Sequence, residues 1–146
     1  MKPFNLSVTH PKLTQQEVDD LTYKVIGACI EVHKEMKAGL KEAIYEECLT
    51  IELASMGLSF RQQFSFRPTY KGHLLKTRSV TDLIVEDLIV LELKAVAAIT
   101  PLHMAQANNY INLLGLPKAV VVNFNCHNIT SEGKKTTVND VYAGLY

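Results

Sequence analysis

The fold is decided by residues 80–94, which read Val80-Thr81-Asp82-Leu83-Ile84-Val85-Glu86-Asp87-Leu88-Ile89-Val90-Leu91-Glu92-Leu93-Lys94. Two apolar runs of strand-like composition flank a polar turn, and the connection is too short for a crossover, so the stretch predicts an antiparallel β-hairpin. Asp82, Glu92 and Lys94 interrupt the apolar runs. A charged side chain in a buried strand is costly unless it has a partner or a metal. Their convergence predicts a site that holds a divalent cation and activates a water molecule.

The turn length of this hairpin decides whether the two acids can meet. A two-residue turn at Glu86-Asp87 pairs Asp82 with Leu91 and places Asp82 and Glu92 on opposite faces, because one residue of register reverses every side chain. A three-residue turn over residues 86–88, or an equivalent bulge, pairs Asp82 with Glu92. We predict the three-residue turn, since it also gathers the apolar residues on the other face. Facing carboxylates repel, which a cation between them would relieve.

A purely structural role for these residues stays open, because acidic residues near hairpin turns are common. Six of the eight residues from Leu88 to Ala95 are apolar. Such a run is typical of a central strand that is buried on both sides. Glu92 and Lys94 do not match that environment, and the mismatch favours the functional interpretation.

Composition predicts one domain over residues 1–146, with a core at about 14–126 and a C-terminal extension at 129–146. Hydrophobic residues make up 47% of the chain and the net charge is zero, which argues against a protein that coats nucleic acid. No stretch approaches a membrane span, and residues 1–13 lack the apolar core of a signal peptide. The three scattered cysteines indicate reduced thiols in a cytoplasmic protein.

The remaining elements follow from caps, periodicity and turn residues. They are a helix from the Thr14–Glu17 capping box to Gly39, a helix from about residue 40 to Met56, a strand over 59–70 with a turn at Lys71-Gly72, a helix over 101–114, and a strand over 119–124. The second helix is expected to bury Ile44, Cys48 and Ile51, with Met56 as a further candidate.

Several segments resemble the GxxExxY protein family of the PD-(D/E)xK nuclease superfamily. The naming motif is matched by Gly39-Leu40-Lys41-Glu42-Ala43-Ile44-Tyr45, and further similarity extends over roughly residues 17–126. Two positions depart from the family pattern: Val80 stands where a basic residue is frequent, and residues 76–79 replace a glycine-rich approach. The resemblance implies a restriction-endonuclease-like α/β core, in which helices flank both faces of a central mixed sheet that contains the antiparallel hairpin.

The resemblance also implies roles for individual residues. Asp82, Glu92 and the carbonyl of Leu93 would bind Mg²⁺ or Mn²⁺, which prefer hard oxygen ligands. Lys94 would orient or deprotonate the attacking water. Glu42 would hold a metal-associated water or a second ion, and Gln106 would hold substrate or water. Simpler roles stay open for the last two: an acid that complements a helix dipole for Glu42, and an ordinary polar helix face for Gln106.

The expected function is Mg²⁺-dependent hydrolysis of nucleic-acid phosphodiester bonds, with DNA as the expected substrate. The alternative is a nuclease-like fold that binds nucleic acid or protein without turnover, and a purely structural oligomer is a third, weaker interpretation. Assembly into homo-oligomers stays open. His33 is expected to be a hydrogen-bonded core histidine, and Tyr45 is expected either to orient Glu42 or to pack.

Overall fold

The computed structural model describes residues 2–146 and leaves Met1, the first residue of the predicted domain, outside. The strands are β1 Phe60–Phe66, β2 Thr69–Tyr70, β3 His73–Leu74, β4 Ser79–Val85, β5 Ile89–Lys94, β6 Lys118–Asn123 and β7 Lys134–Val138. The helices are α1 Leu6–Thr9, α2 Gln15–Met36, α3 Glu42–Ser55, α4 Pro101–Leu114, α5 Ile129–Glu132 and α6 Asp140–Ala143. Among residues 2–146, none of the helices combines the length and hydropathy that a membrane crossing requires.

A five-stranded mixed sheet forms the centre of the molecule, in the order β1-β4-β5-β6-β7. The pairs β1–β4, β4–β5 and β6–β7 are antiparallel, whereas β5–β6 is parallel. Helix α2 packs on α3, and α4 packs on β5, β6 and β7. This arrangement confirms the predicted α/β architecture, with a central mixed sheet flanked by helices.

The β4–β5 hairpin has the predicted three-residue turn. Its paired residues are Val85 with Ile89, Ile84 with Val90 and Leu83 with Leu91. Glu86 and Asp87 both adopt positive φ, at 53° and 52°. Fully buried Val, Leu and Ile side chains on both faces of these strands explain why the register is fixed, since a slip of one residue would move each apolar set to the other face and disrupt its packing.

Helix α2 follows its predicted apolar stripe. The Thr14 hydroxyl accepts a hydrogen bond from the Glu17 amide at 3.1 Å and starts the helix. Its buried residues include Val18, Val25 and Cys29.

Helix α4 has its predicted bounds, because Thr100 caps its start and Gly115 ends it at a φ of 82° that glycine adopts without strain.

The predicted buried face of α3 is wrong. The helix buries Tyr45, Leu49 and Leu53, whereas Ile51 is 66% exposed and Ile44 is 38% exposed. Met56 is exposed and Cys48 only half-buried. The physical reason is that α3 has two neighbouring apolar stripes, and the one that includes Tyr45 meets the sheet because its aromatic ring stacks on Phe124 at 4.3 Å between centroids.

The C-terminal extension joins the sheet as its edge strand. Five residues of β7 pair with β6, from Val138 with Lys118 to Lys134 with Val122. The Lys118 ammonium binds Asp19 at 3.1 Å, and the Tyr142 hydroxyl donates to the same carboxylate. The Tyr142 contact fastens the end of the chain to helix α2, and the Lys118 ion pair fastens β6 to the same helix.

Candidate active site

A gap between β4 and β5 begins where their regular pairing stops, beyond Leu83 and Leu91. There the Asp82 carboxylate accepts a hydrogen bond from the Leu93 amide at 2.8 Å. The N–H and C=O of one strand residue point toward the same neighbouring strand. The Leu93 carbonyl therefore faces the same gap as Asp82, whereas the carbonyl of Lys94 points the other way and accepts from Phe124 N at 2.9 Å.

Glu92 is the buried carboxyl group of this gap and is only 5% exposed. Its Oε1 accepts a hydrogen bond from the Thr81 hydroxyl at 2.8 Å. Burial, followed by hydrogen bonding to Asp82 and the charge of Asp82, raises the pKa of Glu92 to about 8, against smaller opposing effects of Thr81 and Lys94. The structure thus places Asp82 and Glu92 next to each other at the end of the hairpin, and the charge of Lys94 acts on Glu92.

Tyr110 is a site residue that the sequence interpretation left without a role. Burial and then the charges of Glu92 and Asp82 raise the pKa of its hydroxyl, and its helix α4 packs on β5, the strand that carries Glu92. Its ring meets Phe66 edge-on, at 5.7 Å between centroids. The available signal was its position one helical turn after Gln106, on the same face of α4.

Gln106 is exposed and lies one turn nearer than Tyr110 to the start of α4. Because the chain passes from Lys94 through residues 95–100 into α4, this end of the helix lies at the same edge of the sheet as the gap. Within residues 2–146, Gln106 makes no side-chain hydrogen bond to Asp82, Glu92 or Lys94. The structure therefore places Gln106 near the site without joining it to the acids.

A cavity of about 670 Å³ opens the gap toward α3. Its lining residues are Glu42, Ala43, Glu46, Glu47, Thr50, Gln62, Gln63, Asp82 and Leu93. Glu42 Oε1 accepts from the Ala95 amide at 3.2 Å, directly after Lys94. Gln63 donates to Glu46 at 2.8 Å and approaches Asp82 at 3.5 Å. Glu42 therefore lies across the cavity from Asp82 and holds the backbone at the end of β5.

The segment between α2 and α3 is held by Tyr45. The Tyr45 hydroxyl donates to the Lys37 carbonyl at 2.5 Å and accepts from the Leu40 amide at 3.1 Å. Lys37 has φ 62° and ψ −179°, a conformation that is costly for a residue with a side chain. Gly39 has φ 99°. The buried tyrosine thus fixes a strained loop that leads directly into Glu42.

Asn123 fixes the other side of the segment that follows Lys94. This buried amide accepts from Val96 N at 3.1 Å and donates to Val96 O at 2.9 Å. The sequence gives no distinctive signal for this role.

His33 is half-buried and hydrogen-bonded to the Cys126 carbonyl at 3.0 Å, as expected for a core histidine.

The donor set of the gap fits a hard divalent cation. It offers two carboxylates, Asp82 and Glu92, and the Leu93 carbonyl, which are the oxygen ligands that Mg²⁺ and Mn²⁺ prefer. In the described chain, residues 2–146, no three His, Cys, Asp or Glu side chains group closely enough to hold an ion by themselves. A cation here would therefore depend on the carbonyl and on water for its further ligands, a common situation for Mg²⁺.

Neither the curated proteins nor the solved structures include a significant match to this chain. A family model described as the PD-(D/E)XK nuclease superfamily matches residues 19–136. That range contains the whole hairpin, the cavity and helix α4, and it covers more than half of the sequence. The chain therefore belongs to the PD-(D/E)XK nuclease superfamily.

Proposed function

We propose that this chain is a metal-dependent nuclease that hydrolyses phosphodiester bonds, with Mg²⁺ or Mn²⁺ as its cation and DNA as its substrate. One observation carries the proposal: the buried Glu92 carboxyl faces Asp82 in a gap that also receives the Leu93 carbonyl. A pair of acids in this position is unfavourable without a cation, because both cannot ionise freely at neutral pH. Family membership supports the same reaction class.

The residues of the site have distinct proposed roles. Asp82, Glu92 and the Leu93 carbonyl hold the cation, which when bound supplies Lewis acidity toward the phosphodiester and its attacking water. Lys94 orients or deprotonates that water and offsets phosphate charge. Glu42 holds the Ala95 amide, which keeps the end of β5 in place, and its second oxygen is available to water in the cavity.

Gln106 and Tyr110 would contact the substrate from α4. Both lie on one face of the helix, with Tyr110 close enough to the acids to feel their charge. Gln106 is exposed and can turn its amide toward a phosphate or a water molecule. Its proposed role is to hold the substrate rather than to transfer a proton.

The finer family assignment is to the GxxExxY proteins. Its support is that each residue of the naming motif has a separate physical task in this structure: Gly39 makes the turn, Glu42 binds the end of β5, and Tyr45 fixes the loop between them. We further propose a single domain that acts in the cytoplasm, on the basis of three free cysteines that form no disulfide.

Cleavage of a supercoiled plasmid and of a single-stranded oligonucleotide tests the proposal. The wild type should cut at least one of them with Mg²⁺ or Mn²⁺, and Asp82→Ala, Glu92→Ala and Lys94→Ala should each abolish cutting. Without metal, the melting temperatures of Asp82→Ala and Glu92→Ala should be unchanged or higher, since each substitution removes one of two carboxyl groups that disfavour each other's ionisation. A folded wild type that binds metal and cuts neither substrate would favour the non-catalytic binding module.

A further inference from the structure

The hairpin segment, residues 67–78, is a basic projection at the edge of the sheet. It contains Arg67, Lys71, Lys76 and Arg78 and no acidic residue, in a chain whose net charge is zero. Strands β2 and β3 form a separate two-stranded sheet within it. Lys71 at φ 47° and Gly72 at φ 81° make its tight turn. Four of the chain's 15 lysine and arginine residues are thus concentrated on one small element.

The hairpin segment lies beside the candidate active site. It connects β1 to β4, and the pair Phe66–Ser79 closes its base. Asp82 lies four residues after Arg78 on an extended strand, a distance of about 13 Å. Phe66, which precedes the segment, meets the ring of Tyr110 edge-on, and Tyr110 belongs to α4, which packs on the Glu92 strand β5.

The cations of the hairpin segment are available to a ligand. The ion pairs within residues 2–146 are Lys34–Glu31, Arg61–Asp87 and Lys118–Asp19, so none involves residues 67–78. Arg67 donates to the Leu75 carbonyl at 2.6 Å and Arg78 donates to Ser65 Oγ at 3.3 Å, which braces the segment and leaves both guanidinium groups charged. Lys71 and Lys76 are exposed and make no such brace.

The hairpin segment also presents an aromatic ring. Tyr70 is 60% exposed, and the Lys71 ammonium lies 5.4 Å from its ring centroid. In a single nucleic-acid strand, each phosphate lies next to an unpaired base. A cation beside an exposed aromatic ring can therefore bind the phosphate while the ring stacks on the base. A base within a duplex is stacked between its neighbours and cannot stack on Tyr70.

We propose that residues 67–78 bind a single-stranded part of the nucleic acid next to the cleavage site. In this arrangement Lys71 and Lys76 contact phosphates, and Tyr70 stacks on one unpaired base. The acidic cavity lined by Glu42, Glu46 and Asp82 repels a polyanion, and the hairpin segment offsets that repulsion on the strand side of the site. The inference rests on the proposed nuclease function for the identity of its ligand.

Fluorescence anisotropy of labelled oligonucleotides, in EDTA so that cutting cannot occur, tests the inference. Lys71→Asn with Lys76→Gln removes two charges and keeps a residue at position 71 that tolerates positive φ. Tyr70→Ala removes the ring, and Tyr70→Phe keeps it. Lys12→Ala with Lys24→Ala is the matched control, because both lysines are exposed and Lys24 lines a pocket with Glu86, in the turn at the other end of β4.

The affinity for a single-stranded 20-mer should fall as the salt concentration rises. In a plot of log affinity against log salt concentration, the double lysine variant should make this negative slope shallower by about 1.4. Tyr70→Ala should weaken single-strand binding by about 5- to 150-fold and change duplex binding little, whereas Tyr70→Phe should bind as the wild type does. The control pair should match the wild type. Hairpin variants that bind like the wild type, or a wild type that binds no nucleic acid, would overturn the inference.

The same variants separate this inference from the proposed function. Normal binding by the hairpin variants together with metal-dependent cutting would refute the hairpin role and leave the nuclease standing. Loss of binding in the hairpin variants, with a wild type that binds but never cuts, would support the hairpin role and refute the nuclease. Equal loss on single strands and duplexes for Tyr70→Ala would refute the stacking contact.

Discussion

Glu92 shows at the scale of one residue why an acid in a central strand points to a cation. It is buried beside Asp82, and its hydrogen bond from Thr81 offsets only part of the cost of charging it. In the absence of metal the group therefore keeps its proton to a pH well above the ordinary range of a carboxylic acid. A bound cation would reverse this preference and favour both ionised acids.

The raised pKa of Glu92 gives a pH dependence of stability with a definite sign. The folded state holds a proton that the unfolded state releases near pH 4.5, so the stabilisation is complete below pH 4.5 and is lost as pH rises to about 8. In EDTA, the melting temperature of the wild type should fall between pH 5 and pH 8.5 more than that of Glu92→Gln. Equal falls in the two proteins would show that Glu92 does not titrate in this window.

Residue-level prediction from the sequence succeeded where sheet alternation decides the outcome. The apolar residues of 80–94 admit one register that buries both sets, and that register also brings Asp82 toward Glu92. Prediction from the sequence could not identify Tyr110 or Asn123, because their roles depend on contacts with elements that are distant in the sequence. Tyr110 reaches the strand of Glu92 through the packing of α4 on β5, and Asn123 on β6 holds Val96 just beyond the end of the neighbouring strand β5.

At the scale of elements, α3 shows where periodicity alone is insufficient. Residues 44, 48 and 51 and residues 45, 49 and 53 both follow helical spacing, so either stripe could have faced the core. The sheet selects the second stripe, since the Tyr45 hydroxyl finds two backbone partners there and its ring stacks on Phe124. The first stripe, residues 44, 48 and 51, has no hydroxyl group that could bind these backbone partners.

Alanine substitution should distinguish the two stripes of α3. Leu49 is fully buried, so Leu49→Ala should lower the free energy of unfolding by about 2–5 kcal/mol through lost burial and a cavity. Ile51→Ala, at a position 66% exposed, should cost less than about 1 kcal/mol. Urea unfolding of both variants measures the difference, and a larger cost for Ile51→Ala would mean that the helix is rotated.

Tyr45→Phe should loosen the loop before Glu42 without disrupting the core. The substitution keeps the stacked ring and removes only the hydroxyl that joins Lys37 and Leu40. We expect faster hydrogen exchange at the Leu40 amide and a lower cleavage rate, with a stability loss of about 1–3 kcal/mol. Unchanged exchange at Leu40 together with full activity would show that the hydroxyl does not position Glu42.

At the scale of the whole molecule, the C-terminal extension contributes the fifth strand of the sheet. Asn139 links this strand to the body of the protein, because its side chain donates to Asn112 and to the Leu116 carbonyl and caps α6 at the Tyr142 amide. Sequence patterns predicted a C-terminal extension over residues 129–146 without its pairing, since β7 is short, polar and mostly exposed. Its position depends on hydrogen bonds to distant residues, which periodicity does not reveal.

Asn139→Ala should therefore destabilise the whole molecule by about 1–2 kcal/mol, the usual cost of a lost helix cap. Asn109→Ala is the control, since this asparagine is exposed on α4. Thermal unfolding should show a lower melting temperature for the first variant alone. Equal melting temperatures for the two variants would indicate that the extension is not fastened through Asn139.

Calorimetric titration of Mg²⁺ and Mn²⁺ into the wild type, Glu92→Gln and Glu17→Gln tests the metal site most directly. Glu17 lies on α2 and lines a pocket with Glu86, in the turn at the other end of the hairpin, and serves as the control for loss of one carboxylate. The wild type and Glu17→Gln should bind the cation alike, and Glu92→Gln should bind it more than about tenfold more weakly. Equal binding by all three proteins would contradict the proposal that Glu92 and Asp82 hold the metal.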